Sequence, residues 1–256
     1  MNRPTISIVT PSFNQGEYIE ETIRSVIQQD YPSVEYIIID GGSTDNSVEI
    51  IKKYKKSLAY WVSEPDHGQA DAIVKGFKRA TGNILGFLNS DDYLLPHSLQ
   101  VVAGEFSKNE SLEFVVGRSI VVDRQSKLKY TWTPPFINYW TMLCTGCWFH
   151  QPASFWRKSA YDEVGGIDAS LRFALDYDLF VRLAKRKRPK IIKEILAAFR
   201  EHEQSKTSTL QDICKEESLM IQKRNGIDAI PFPLLTIIQK LFPHYVNVVQ
   251  QIHAER

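Results

Sequence analysis

The chain has 256 residues, 43% hydrophobic and 24% charged, with 31 Lys and Arg against 30 Asp and Glu. That length suits one globular domain with a large core, with or without a tail, and a net charge of +1 gives no general pull toward nucleic acid. Three cysteines are too few, and odd in number, for a disulfide scaffold. No apolar run reaches the ~20 residues that cross a bilayer. No cleavage site follows Met1-Asn2-Arg3-Pro4, so a cytoplasmic location is expected.

Ile6 to Val9 reads as a buried strand and is followed by the turn-rich Pro11-Ser12-Phe13-Asn14-Gln15-Gly16. Ile19, Ile23, Val26 and Ile27 then recur at helical spacing. Val34 to Ile39 is a second strand, ending in Asp40-Gly41-Gly42-Ser43-Thr44-Asp45, and helical spacing resumes at Val48, Ile51 and Tyr54. Ala59 to Val62 is a third strand. Gln69 to Ala80 is a helix stopped by Thr81-Gly82, and Ile84 to Leu88 is a fourth strand running into Asn89-Ser90-Asp91-Asp92. Such alternation predicts a mostly parallel sheet with helices on both faces. Ligands bind such sheets beyond the carboxyl ends of the strands, so the Pro11, Asp40 and Ser90 segments should share a crevice.

After Ser107 the pattern changes. Phe114 to Val122 and Leu128 to Trp132 predict an antiparallel pair, and an aromatic-rich stretch from Tyr130 to Trp156 holds four of the five tryptophans. Leu175 to Ala184 reads as a helix, Ile191 to Ile195 as a last strand and Asp212 to Arg224 as a polar helix. From Pro231 the chain is apolar but interrupted by Pro233, Lys240 and Pro243.

Asp91-Asp92 at a strand end suits a hard divalent cation, whose shell substrate phosphates and water would complete. An Asp-Asp pair also arises by chance about once in a chain this long, and many are turn or cap residues. Asp40 ends a buried strand, where a carboxylate can accept the N3–H of a uracil-type base and the following glycines admit a ligand closely. The plainer reading is a turn followed by a helix cap. No G-x-G-x-x-G or G-x-x-x-x-G-K-[ST] motif is present. Cys144-Thr145-Gly146-Cys147 has redox or zinc spacing, but only Cys214 remains as a further cysteine ligand, so a structural role is expected.

Taken together, Ile6 to Asn14, Ile38 to Asp45, Ser63-Glu64-Pro65-Asp66, Gly68 to Ile73 and Leu88 to Asp92 resemble, in order, the opening motifs of family 2 glycosyltransferases with the GT-A fold. Gln151 to Trp156, Asp176-Tyr177-Asp178-Leu179 and Arg200-Glu201-His202 extend the likeness, which covers Thr5 to Lys206. The resemblance implies a GT-A (Rossmann-like) α/β fold with a small antiparallel element and a helical tail. The domain would span 1–208, with a nucleotide-binding half at 1–107, an acceptor-binding half at 108–208 and a tail at 209–256. It implies an inverting, metal-dependent enzyme of hexosyltransferase type. Such an enzyme would use Mn²⁺ or Mg²⁺ to move a sugar from a nucleotide-sugar donor, UDP-type, to a saccharide or lipid-linked saccharide acceptor in bacterial cell-surface polysaccharide synthesis.

By the same resemblance Pro11, Phe13, Asp40, Gly41, Ser43, Asp71 and Ser90 contact the nucleotide sugar. Asp66 and Gln151 would be further donor or acceptor contacts. Asp91 would serve ribose or metal, Asp92 would be the direct metal ligand, His202 would complete the metal or diphosphate site, and Asp176 would be the general base. Two departures stand out: Leu175 occupies a position where many members have Glu, and Val74 one where an Asn is frequent. Asp178 competes for the base role, and on a helix the two aspartates point about 200° apart. A sugar nucleotidyltransferase and an inactive nucleotide-sugar-binding scaffold are the rival readings. The first lacks its basic Gly-rich loop in Pro11 to Gly16; the second sits poorly with intact Asp40, Asp91, Asp92, Asp176 and His202.

Most of these aromatics are expected to fill the core, with one or two, Trp148 or Trp156, lining the acceptor side, since indole faces stack on sugar rings. The apolar tail invites peripheral contact with the inner face of the plasma membrane, helped by Lys185 to Arg188 and Lys190. Packing on the domain or in a homodimer would serve as well.

Overall fold

The structure is a computed structural model that describes residues 3–254; residues 1–2 and 255–256, the outer ends of the spans given above, lie outside the described residues. Strand β1 (Ile6–Ser12) is buried along its whole length and pairs in parallel with β2 (Val34–Asp40), in a register that sets Ser12 beside Asp40. Helix α1 (Ile19–Ile27) joins them and buries Ile19, Ile23 and Val26. Helix α2 (Ser47–Lys53) leads to β3 (Tyr60–Ser63), parallel to β2, and α3 (Gln69–Arg79) leads to β4 (Ile84–Phe87), parallel to β1. Side chains alternate between the two faces of each strand. Ile8 and Ile38 therefore enter the core under α1, and Val9, Ile37 and Ile39 the core under α3. Helix α3 approaches β1 so closely that a Cβ on Gly76 would lie 2.3 Å from Val9 Cγ1.

A two-residue strand β5 (Tyr93–Leu94) and helix α4 (Ser98–Lys108) precede β6 (Phe114–Val122), which pairs antiparallel with β7 (Leu128–Trp132) as expected. After α5 (Tyr139–Thr145) comes β8 (Ser154–Arg157), which the aromatic-rich pattern concealed. This short strand runs antiparallel to both β4 and β6 and so joins the parallel half of the sheet to the rest. Trp156 lies on it with no exposure, between Phe77, Phe87 and Phe180, and is a core anchor; the expectation that it lines an acceptor site is corrected.

Helices α6 (Lys158–Glu163) and α7 (Leu175–Arg186) then lead to β9 (Lys190–Arg200), which pairs with both β6 and β5. Ladders on both sides hold Ala197 and Ala198 extended, and the strand outruns its expected end at Ile195. The sheet order is β3-β2-β1-β4-β8-β6-β9-β5, with β7 beside β6.

Beyond α8 (Lys206–Thr209), helix α9 (Gln211–Arg224) is polar by composition, yet Ile221 is fully buried in the core under α3 and α7. The last element, α10 (Phe232–Ala254), is a single 23-residue helix. The expected breaks do not end it: Pro233 falls in its first turn, where no N–H is needed, and Pro243 is accommodated inside. Among the described residues no helix is long and apolar enough to cross a membrane.

Candidate functional site

The carboxyl ends of β1, β2 and β4 meet the end of β9 and the start of α7. The Asn14 and Ser43 loops are laced together: Asn14 N donates to Ser43 Oγ at 2.8 Å, Thr44 N to Asn14 Oδ1 at 2.8 Å and Gly16 N to Asp45 Oδ2 at 2.8 Å. Asn14 takes the left-handed conformation that asparagine tolerates, with φ 51°. Pro11 and Gly41 are buried beneath these loops, and Phe13 stands out from them, 58% exposed.

Asp40 is wholly buried and holds the loops from below. Ser12 Oγ (2.9 Å) and Ser43 Oγ (2.6 Å) donate to Oδ1, while Ser63 Oγ (2.7 Å), Ser43 N (2.9 Å) and Gly42 N (3.2 Å) donate to Oδ2. A carboxylate offers about four acceptor positions, and these five donors fill them here, so the expected contact of Asp40 with a base requires one of them to yield. Asp66, partly exposed, lies over Gly41, where a Cβ would come within 2.8 Å of its Oδ2, and accepts from Gly68 N at 2.8 Å. Asp71 is tied to the start of α3, accepting from His67 N at 3.1 Å and pairing with Lys75 at 3.2 Å.

The Asp pair divides. Asp91, partly exposed, brings Oδ2 to 3.0 Å from His202 Nε2, and the imidazole packs on Tyr18 with ring centres 4.9 Å apart. Asp92 is 1% exposed, turned behind the crevice, where Oδ1 accepts from Arg200 N at 2.9 Å and Oδ2 faces Asn89 Nδ2 at 3.5 Å. Burial, and then the charge of Asp91, push the Asp92 carboxyl well above the usual range. Asp91 is thus the more exposed carboxylate of the pair and Asp92 the more buried. Ser90 is buried, and its carbonyl accepts from Thr22 Oγ1 at 2.9 Å.

Arg200 braces this turn, a role that its place in the Arg200-Glu201-His202 motif does not reveal. It is 2% exposed, donates to Asp91 O (2.7 Å), Ser126 Oγ (2.8 Å) and Glu21 Oε2 (2.5 Å), and lies across the ring of Tyr18. The available signal was an arginine closing an apolar strand.

On the other wall, Asp176 is partly exposed in the first turn of α7 and accepts from Tyr177 N at 2.7 Å. Burial pushes its carboxyl up to about 6, against hydrogen bonds and the charge of Lys206 that pull it down. Asp178 is fully buried and held by Arg182 (2.5 and 2.9 Å) and by Arg224 (3.0 Å), so it does not face the crevice. Glu217 of α9 accepts the N–H groups of Arg172, Phe173 and Ala174 at 2.7, 2.9 and 2.8 Å and fixes the approach to α7.

Lys206 Nζ donates to Gln69 Oε1 (2.7 Å), and Gln69 Nε2 donates to Asn89 Oδ1 (2.6 Å), linking the Asp176 wall to the Asp91 turn. Gln151 donates Nε2 to Phe87 O at 2.8 Å at the end of β4, while its buried Oε1 has no partner among the described residues. Trp148 is partly exposed and donates to Thr145 O at 3.0 Å. Cys144 and Cys147 are free thiols. Leu175 is core, and Val74 packs against it. No three His, Cys, Asp or Glu side chains among the described residues gather as a metal centre.

A largely parallel sheet covered by helices, with acidic loops at its carboxyl edge, defines an α/β protein whose candidate ligand site lies at that edge. The model of the glycosyl transferase family 2 matches residues 7–165, more than half of the chain, and the chain belongs to that family. It is 32% identical to an uncharacterized glycosyltransferase of Mycobacterium tuberculosis over 77% of this chain and 75% of that one. It is 30% identical to a chondroitin synthase of Pasteurella multocida over 71% of this chain but 19% of that one. In three dimensions it resembles S. aureus TarS 1-349 in complex with UDP-GlcNAc, with TM-score 0.66, 20% identity and coverage of 80% of this chain and 61% of that chain. It also resembles the mannosyltransferase PcManGT of Pyrobaculum calidifontis in complex with GDP-Man and Mn²⁺, with TM-score 0.66, 18% identity and coverage of 94% and 70%. The chain thus spans about three fifths of TarS 1-349, and the likeness to both structures is one of GT-A fold.

Proposed function

We propose that this chain transfers a sugar, with inversion, from a nucleoside diphosphate sugar of the UDP type to a hydroxyl of a saccharide or lipid-linked saccharide, in polysaccharide assembly. The observation that carries the reading is Asp176: partly exposed, lifted to about 6, and within the field of Lys206, which bonds through Gln69 to Asn89 in the turn that also carries the Asp91–His202 pair. Such a carboxylate is poised to take a proton near neutral pH. In the step, the acceptor O–H gives its proton to Asp176 while its oxygen bonds to the anomeric carbon. The bond from that carbon to the diphosphate oxygen breaks, and the electron pair leaves with the nucleoside diphosphate.

On the donor side, Phe13 offers its exposed ring to the base, and Asp66, with Gly41 beneath it, takes the acceptor role toward the base while Asp40 holds the loops below. The unpartnered Oε1 of Gln151 suits a sugar hydroxyl. Ser43 and Ser90 shape the loops rather than grip the ligand.

Asp91 and His202 fit a hard divalent cation as two of its ligands, provided that phosphate oxygens and water complete the shell. The complexes of TarS with UDP-GlcNAc and of PcManGT with GDP-Man and Mn²⁺ agree with this chemistry. Bound there, Mn²⁺ or Mg²⁺ would offset the negative charge that develops on the leaving diphosphate.

The test is a panel of nucleoside diphosphate sugars with Mn²⁺, scored by released nucleoside diphosphate and by calorimetric binding. At least one donor should bind, and Asp176→Asn should bind it with little change and not turn it over. Absence of binding across the panel, or full turnover by Asp176→Asn, overturns the reading.

A further inference from the structure

We propose that the outer face of α10, with Phe136 and Trp140 beside it, docks on an anionic lipid surface. The helix turns its amides toward the protein and its hydrocarbon toward solvent. Gln239 donates to Cys144 O at 3.1 Å, and Gln250 bonds both backbone groups of Thr133, at 2.7 and 3.1 Å. Leu235, Ile238 and Val246 complete the inward face. Outward, Leu234, Ile237, Leu241, Tyr245, Val248 and Ile252 recur every three or four residues and are 42 to 62% exposed. A helix facing water carries charge in those positions; a continuous apolar stripe marks an interaction surface.

Beside the stripe, α5 and α10 enclose an apolar groove of about 360 Å³, with Trp140, Ile237, Leu241 and Tyr245 among its walls. Trp140 is 57% exposed. Indole and phenol rings are the side chains that favour the boundary between hydrocarbon and water.

Charge selects the occupant. In its 23 residues α10 has no Asp or Glu, and its charged side chain is Lys240. The end of α7 brings cations to the same face: the Arg188 guanidinium lies 4.2 Å from the ring centre of Phe136, and Lys185 Nζ 5.6 Å from that of Tyr139. Phe136 N donates in turn to Tyr245 Oη at 3.1 Å. Arg186 and Lys190 are neutralised by Glu113, Glu163 and Glu105. Lys185, Lys187 and Arg188 make no ion pair among the described residues, and Lys187 reaches only the carbonyl of Ser111. Hydrocarbon flanked by unpaired cations is complementary to negatively charged headgroups. A second copy laid on the stripe would face positive flanks with positive flanks.

The docked face is also near the chemistry. From Asp176 to Arg186 along α7 is about 15 Å at 1.5 Å per residue, and α5 ends at the loop whose Cys147 thiol feels the charge of Asp176. On the reading of Asp176 as base, this favours an acceptor anchored in lipid.

Sedimentation of the full chain with phosphatidylcholine vesicles, with and without phosphatidylglycerol, tests the docking without requiring turnover. The chain should pellet with the phosphatidylglycerol vesicles, and less so as salt is raised. Leu241→Glu with Val248→Glu should cost about tenfold or more in binding, as should Lys185→Glu with Arg188→Glu. Melting temperature and donor binding should stay as in the parent, because these positions lie at the surface. A chain that stays in the supernatant with both vesicle types overturns the proposal. So does a dimer, detected by ultracentrifugation, that Leu241→Glu with Val248→Glu dissociates.

Discussion

At the ends of β1 and β2, Asp40 receives five hydrogen bonds from Ser12, Gly42, Ser43 and Ser63 and has no exposed surface. At the start of α7, Asp176 keeps part of its surface in the crevice and a carboxyl lifted to about 6. Both are strand- or helix-end aspartates in one crevice, and the fold uses them in opposite ways. Asp40 is saturated so that the loops hold their shape; Asp176 accepts from Tyr177 N and, on the proposed reading, exchanges a proton. The same division separates Asp92 from Asp91, and Asp178 from Asp176, within single turns of chain.

The comparison breaks most visibly at Asp176. Replacing it with Asn should lower kcat by about 10²–10⁴-fold, the usual contribution of a positioned base, with donor affinity little changed, measured by turnover and calorimetry. Asp178→Asn should do the reverse. It leaves Arg182 and Arg224 facing a neutral amide, and breaking a buried ion pair costs about 3 kcal/mol or more. Denaturant unfolding should register that loss while the purified folded fraction still turns over. If Asp178→Asn abolishes turnover in the folded fraction, the contrast drawn within α7 is wrong.

Much of the donor wall was legible in the sequence. Alternating apolar strands and helices at 3.6-residue spacing need no tertiary knowledge, and the acidic loops fall at strand ends by position alone. What the pattern could not give is the direction of a carboxylate. Asp40 is sealed partly by Ser63, 23 residues away on another strand, and no local signal distinguishes that from an Asp aimed at a base. Trp156 and β8 were hidden for a related reason, because a four-residue strand in an aromatic stretch shows too few alternations to be read. Arg200 and Glu217 sit among charged neighbours that suggest solvent, and only their partners reveal that they brace the Asp91 turn and the start of α7.

Glu217 supplies a test of intermediate size. Glu217→Gln turns an amide N–H toward three backbone donors, which should cost about 1–3 kcal/mol in stability, the cost of leaving buried donors unsatisfied. Because those donors lead into α7, kcat should fall with KM for the donor nearly constant. A variant that instead weakens the donor alone would place Glu217 with the other wall.

The smallest effect is a gain, and it depends on pH. Displacing the Asp176 carboxyl from 3.8 to about 6 means that the folded state disfavours its charge. That displacement corresponds to at most about 3 kcal/mol. Below pH 3.8 the group is protonated whether the chain is folded or not, and the penalty is absent; it grows as pH rises through the interval and is constant above about 6. Asp176→Asn should therefore be more stable than the parent above pH 6, with the difference in melting temperature shrinking to nothing toward pH 4. In the parent, kcat/KM should fall about tenfold per pH unit below 6, where the base takes up its proton. A variant that is less active and equally stable at every pH would mean that Asp176 is not held in the state that sets it apart from Asp40.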